Sequence, residues 1–345
     1  MSDRSTDHDG HENKEYLCGT DVTLQWLLQM MADTLNKPFE EEPQWITERL
    51  NRPSWDEYAT SSVIRVTFGW EDDDLPKSVV LKTPVSKEMR EDDEGKFHYI
   101  MFKRECNVYE WTQKYPKLAA PRIFHIKRNS KEGSGVVVME DIGDRGQQQD
   151  AAKGLSLDAM RDLLRNLALL HAQSMKQTSW STLYTAKFFT TEYLHETATE
   201  SAEALKVPRV LVHGEPYASN VFVILDAKEQ RLAGLIDWTE CHSGCFAEDL
   251  AKAICWNLSA KDRMEFTSSL LEGYHYHLTR YSDGECHMTI DLIRRGFEQF
   301  LPMAMVTLVA KVMQVRTRND VEPLIERAKS LIQNVYAMTR LMQDV

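Results

Sequence analysis

Residues 210–220 read Val210-Leu-Val-His213-Gly214-Glu215-Pro216-Tyr-Ala-Ser-Asn220. Three apolar β-forming residues run into a polar elbow with a carboxylate just past the strand and a carboxamide five residues later. Downstream, Leu232-Ala-Gly-Leu-Ile-Asp237-Trp238 repeats the device: an apolar strand that ends on a carboxylate. Two β-connected elbows can aim Glu215, Asn220 and Asp237 into one space. Each elbow alone is also ordinary turn chemistry, since Asn, Gly and Asp are turn residues. Their succession is what sets this chain apart. Phosphoryl transfer needs such a set, with one carboxylate near an attacking hydroxyl and hard oxygen ligands for Mg²⁺.

Working outward, two more charges stand in apolar patterns. Lys82 lies inside Ser78-Val-Val-Leu-Lys-Thr-Pro-Val85, a strand apolar enough to be buried on both faces. Glu105 falls in the helical stripe of Phe97, Met101 and Val108 on a helix expected over 94–114. A buried carboxylate needs a cationic partner, and Lys82 is the candidate. The alternative is a snorkelling lysine and a glutamate at the edge of the stripe.

Around these charges the pattern is strand (61–70), strand (78–85), helix, strand (121–128), strand (135–140), after a helix over 22–36 that Asp21 is expected to cap. From residue 140 on, short strands cluster around the two elbows and the rest is helical. The resulting fold class is α+β, with a small β-rich N-lobe (21–139) and a larger, mainly helical C-lobe (140–345). Residues 1–20, polar and without an apolar core, are expected to form a disordered tail.

A chain of 345 residues exceeds what one hydrophobic core usually supports, consistent with two lobes. Its net charge of −12 argues against a general nucleic-acid or anionic-membrane binder and leans toward cationic substrates. The longest late apolar run, Leu301 to Ala310, is broken by Lys311 and too short for a membrane span. Six irregularly spaced cysteines fit free thiols in the cytoplasm. Cys241, His242 and Cys245 lack a second half of a metal motif, so packed thiols are the reading taken. An aromatic and methionine group, Tyr274, Tyr276, Phe297, Phe300 and Met303, suits either a lipophilic or quaternary-ammonium pocket or plain core.

Taken together, these segments resemble the protein-kinase-like superfamily, and more closely its branch of aminoglycoside phosphotransferases, choline kinases and ecdysteroid-kinase-like (CHK) proteins, including the nematode CHK-domain group. Residues 79–84 resemble the lysine strand, 104–110 the glutamate helix, 136–143 the adenine hinge, 212–220 the catalytic loop, and 235–252 the metal-binding segment. The resemblance implies a bilobal kinase-like fold and an ATP- and Mg²⁺-dependent phosphotransferase acting on the hydroxyl of a small molecule. It implies that Lys82 holds phosphates and is oriented by Glu105. Met139, Glu140, Asp141 and Ile142 would line the adenine through main-chain bonds, Asn220 and Asp237 would ligate Mg²⁺, and Asp249 would fix the loop. His213 and His171 are read as packing residues.

Two departures stand out. Glu215 occupies the place of the family's catalytic aspartate, and residues 54–66 lack a glycine where many relatives approach the phosphates, leaving Ser61 and Ser62 to offer hydroxyls and N–H groups. A pseudokinase that binds nucleotide without transfer is therefore the alternative.

Overall fold

In strand β2 (Ser61–Phe68) half-buried and buried residues alternate, so Ser62, Ile64, Val66 and Phe68 point one way. The next strand, β3 (Ser78–Pro84), is buried at every position because neighbours flank it on both sides. The computed structural model describes residues 16–39, 42–50, 61–84, 93–128, 134–177, 180, 197, 200–225, 230–315 and 320–343. Strands β1 (Trp45–Arg49), β4 (Ile123–Lys127) and β5 (Val136–Glu140) complete a sheet of order β1-β2-β3-β5-β4, antiparallel throughout. Helix α1 (Leu24–Leu35) lays Leu24, Leu27 and Met31 into one core with Ile64, Val66 and Leu81 of the sheet.

The cap of α1 corrects the sequence expectation. Thr23, not Asp21, is the N-cap; its hydroxyl accepts from Trp26 N at 3.2 Å, while Asp21 accepts from Ser134 Oγ at 3.0 Å. Of the residues expected as a tail, 1–15 lie outside the described ones, and Leu17 is fully buried in this core.

The described residues divide into two units. One comprises those of Met1–Tyr99 and Ile123–Asp141; the other comprises Ile100–Arg122 and Ile142–Val345, so helix α2 (Asp93–Thr112) contributes to both.

Within the second unit, α3 (Leu157–Lys176) is capped by Ser156 and buries Met160, Leu163, Leu164, Leu167 and Leu170 at helical spacing. Helix α4 (Phe246–Asn257) is buried on all sides, its acidic and basic residues included. Helices α5 (Ala260–Tyr281), α6 (Ile290–Val315) and α7 (Glu322–Gln343) follow. Trp256 of α4 donates to Ala304 O of α6 at 3.0 Å. Two small antiparallel sheets flank the helices: β7 (Val210–Val212) with β10 (His242–Gly244), and β6 (Gln147–Gln148), β8 (Val221–Leu225) and β9 (Gln230–Leu235) in the order β6-β8-β9. Tyr274, Phe297, Phe300 and Met303 are buried core residues and Tyr276 is exposed, so this group is core rather than a pocket. Among the described residues no helix is long and apolar enough to cross a membrane.

Candidate active site

Where β7 ends, the backbone turns under the control of one carboxylate. Asp249 of α4 accepts from His213 N (2.8 Å) and His171 Nε2 (3.2 Å) on Oδ2, and from Gly214 N (2.9 Å) on Oδ1. Burial works against its ionisation, yet the hydrogen bonds from the His171 ring and the His213 backbone N–H help hold the carboxyl below its usual range. Asp249 thus has the loop-fixing place expected of it. Gly214 has φ +88°, and a side chain there would meet Glu240 O at 2.6 Å.

His213 is driven toward its neutral form by burial, against the pull of Asp249 and Asp237. Its Nε2 bonds Ile236 O (3.1 Å) and its Nδ1 receives Glu215 N (3.2 Å), so the proton sits on Nε2. The ring therefore bridges both elbows as a packing residue. The chain Tyr274 hydroxyl, His171, Asp249 extends the scaffold into α5, with Tyr274 2.7 Å from His171 Nδ1.

A second buried set supports the same turn. Lys252 Nζ donates to Gly214 O (2.8 Å) and Glu248 Oε1 (2.6 Å), and Glu248 Oε2 meets His242 Nε2 at 3.0 Å. Asn257 completes the cradle: its amide donates to Pro216 O (2.8 Å) and accepts from Ala218 N (2.7 Å).

On this frame the loop presents Glu215. Its carbonyl accepts from Tyr217 N (2.8 Å) and from Asn220 Nδ2 (3.0 Å). Its carboxylate meets Lys311 of α6 at 2.9 Å, and both side chains keep some access to solvent. Asn220 and Asp237 are brought together by the β8–β9 ladder: Val221 pairs with Leu235, and Ile236 N donates to Asn220 O at 2.9 Å. Because Nδ2 of Asn220 is engaged with Glu215 O, its oxygen is the atom left to act as a ligand. Asp237 holds a left-handed φ of +63° and accepts from Thr239 Oγ1 at 2.9 Å. An amide oxygen and a carboxylate on residues whose backbones adjoin are a donor set Mg²⁺ accepts, the remaining positions being left to water and phosphate. Among the described residues no group of three or more His, Cys, Asp or Glu gathers as a metal cage. Cys241 and Cys245 are buried thiols, that of Cys245 pushed up to about 12 by burial, and both ring nitrogens of His242 are engaged.

Of the remaining expected residues, Lys82 is buried in β3 between Val63 and Val137 on the neighbouring strands. Glu105 is fully buried in α2. The Tyr109 phenol, one turn on, is driven well above its usual range by burial, with the charges of Glu105 and Asp237 adding to the effect. Ser61 and Ser62 open β2, and Ser62 is the more buried. Met139 and Ile142 are buried and Glu140 is half-buried. The Asp141 carboxylate is already committed, accepting from Arg65 Nε (2.5 Å) and Ser78 Oγ (2.8 Å).

Residues 55–208 match the ecdysteroid kinase-like family. Residues 183–345 match a family described as "Uncharacterized oxidoreductase dhs-27". Among solved structures, a microcompartment-associated aminopropanol kinase is 15% identical with a TM-score of 0.51, covering 88% of this chain and 94% of its own. The fold is protein-kinase-like. A GDP complex of an aminoglycoside 2'-phosphotransferase-IIIa mutant is 14% identical, with a TM-score of 0.49 and coverage of 90% and 97%. A comparison with curated proteins finds no match. The family match over 55–208 and the kinase-like fold bear out the resemblance drawn from the sequence. The oxidoreductase description finds no doubly wound sheet in its segment, since β7 to β10 pair only antiparallel among the described residues.

Three features of the site escaped the sequence reading. Glu248 and Lys252 stand at i and i+4 on α4, a spacing that signals an ion pair. Lys311 showed itself only as the charge that interrupts an apolar run. Asn257 gave no local signal.

Proposed function

We propose that this kinase-like protein transfers the γ-phosphoryl group of ATP to a hydroxyl of a small molecule. The observation that carries the reading is the meeting, at the end of the β8–β9 ladder, of the Glu215 loop, Asn220 and Asp237. The acceptor oxygen forms a bond to γ-phosphorus, the bond to the leaving β-phosphate oxygen breaks, and the Glu215 carboxylate orients the hydroxyl and receives its proton. Bound between Asn220 and Asp237, Mg²⁺ would neutralise phosphate charge. Lys82, Ser61 and Ser62 would contact phosphates, Glu105 would keep the role implied by the resemblance, and the main chain of Met139, Glu140, Asp141 and Ile142 would face the adenine. Residues 21–139 would then act as the nucleotide lobe and 140–345 as the catalytic lobe. The cytoplasm is the compartment this chemistry implies.

The second reading is nucleotide binding without transfer, and one contact favours it: the Glu215 carboxylate is already held by Lys311. Comparing wild type, Glu215→Asp and Glu215→Gln over an alcohol panel with labelled ATP separates the two. We expect slow transfer by wild type and at least ~100-fold less by Glu215→Gln, because misplacing a reacting group by ~1 Å already costs about that much. Transfer by Glu215→Gln at the wild-type rate would remove Glu215 from the mechanism. Activity appearing only in Glu215→Asp would establish the binding-only reading.

A further inference from the structure

A carboxylate beside an aromatic face is the combination that receives alkylammonium ligands, through charge and cation–π attraction together. Glu215 and Tyr217 provide that combination on the loop that carries the reacting group. In this chain the position is taken. Lys311 places Nζ 2.9 Å from the Glu215 carboxylate and 5.6 Å from the centroid of the Tyr217 ring. The neighbouring ring is treated alike: Trp256 meets Tyr217 edge-on at 5.6 Å, and Lys252 Nζ lies 5.6 Å from the Trp256 centroid. Both of these rings thus carry an ammonium of the chain's own.

We propose that Lys311 sets the charge class of the acceptor, excluding cationic alcohols and admitting uncharged or anionic hydroxyl compounds. This rests on the reading of Glu215 as the hydroxyl-orienting residue. A cationic acceptor approaching Glu215 meets a like charge, and the ring face and carboxylate that would stabilise it are already engaged. The lysine charge is permanent at physiological pH: burial opposes it, but Glu215 outweighs burial and raises the ammonium well above its usual range. The inference also reverses the lean of the overall composition. The net charge of −12 by itself favours cationic ligands, whereas the local charge at the loop disfavours them. Lys311 acts here on specificity, at the side of the acceptor, and Lys252 does not share the role because Glu248 and Gly214 O hold it in the interior.

The test uses two probes of one shape and different charge, choline and its uncharged isostere 3,3-dimethylbutan-1-ol. Binding of each to the full chain without nucleotide is measured by titration calorimetry for wild type and Lys311→Met. We expect wild type not to prefer choline, and Lys311→Met to gain at least about tenfold for choline relative to the isostere, within the range of a freed cation–π and ion-pair site. Lys311→Gln, which keeps length and polarity, replaces the methionine variant if that protein does not fold. Wild type that prefers choline over the isostere, or variants that gain nothing for choline, would overturn the inference. The transfer assay with labelled ATP over the alcohol panel tests the phosphotransferase reading separately. Because the probe experiment involves no phosphoryl transfer, failure of one reading is distinguishable from failure of the other.

Discussion

Replacing Lys252 by methionine isolates the charge that supports the loop from inside α4. Lys252 is buried at 6% exposure and Glu248 at 0%, so water cannot replace the lost ammonium. Breaking a buried pair by removing one partner costs about 3–5 kcal/mol, and Gly214 O, which also loses a donor, adds roughly 1 kcal/mol or more. We expect Lys252→Met to lose about 5 kcal/mol, and Glu248→Gln/Lys252→Met to recover about half, because no unpaired charge is then left inside. The pH dependence adds a second readout. The Glu248 carboxyl is lowered from 4.5 to about 2: burial raises it, but Lys252 and then His242 outweigh burial. A depressed folded value contributes stability that is present above pH 4.5 and is lost as pH falls toward 2. His242 shifts the other way. Burial lowers it, Glu248 raises it further, and the net rise above 6.5 stabilises fully below that pH and fades as pH rises through the folded value. The triad therefore stabilises most between 4.5 and 6.5. Urea unfolding below, within and above that range, with amide exchange at His213 and Gly214 as the local reporter, measures both effects. A Lys252→Met penalty below about 1 kcal/mol, or a wild-type minus Glu248→Gln difference that grows as pH falls below 4.5, would refute the reasoning.

Two further outcomes follow from the loop and the proposed metal pair. Gly214→Ala must place a Cβ 2.6 Å from Glu240 O while holding φ +88°, so we expect a loss of about 1–3 kcal/mol in a thermal or urea melt, together with weaker MgATP binding. An unchanged melt would show that the turn is not strained in this way. Asp237→Asn keeps the shape and removes the charge, so calorimetry should find ATP bound equally with and without Mg²⁺. Binding still strengthened by Mg²⁺ as in wild type would exclude Asp237 as a ligand.

How much of the fold was legible depends on how strongly each element is apolar. Strands β2 and β3 were legible because one alternates cleanly and the other is wholly buried. Strand β1 was not: it reads Trp-Ile-Thr-Glu-Arg, leaves Ile46 69% exposed, and pairs only with β2 at the edge of the sheet. Edge strands are short and charged, so their pairing depends on a neighbour rather than on a pattern. Strand β10, His-Ser-Gly, has no β propensity of its own and is drawn into register by Val210–Val212. The cap of α1 went to Thr23 rather than Asp21 because a helix starts where backbone and core agree, and Leu24 is its first residue in the core.

The site divides along the same line, between what the chain brings together locally and what packing brings from a distance. Glu215 and Asn220 share a loop, and Asp237 follows a strand paired with the one that Asn220 precedes, so local sequence carries all three. Lys311 comes from near the C-terminal end of α6, just after the apolar run that ends at Ala310, and its charge makes sense only against Glu215. The longer acid and the distant lysine are then best understood as a pair. An aspartate would end one methylene short of Glu215, and the extra reach brings the carboxylate into contact with an ammonium that α6, packed against α4, holds in place. The glutamate that reads as a departure in the sequence is, in the folded chain, one half of an ion pair built across two elements. Its effect on the chemistry therefore cannot be judged from the loop alone, and substitutions of Glu215 and Lys311 should prove non-additive, as residues in direct contact are.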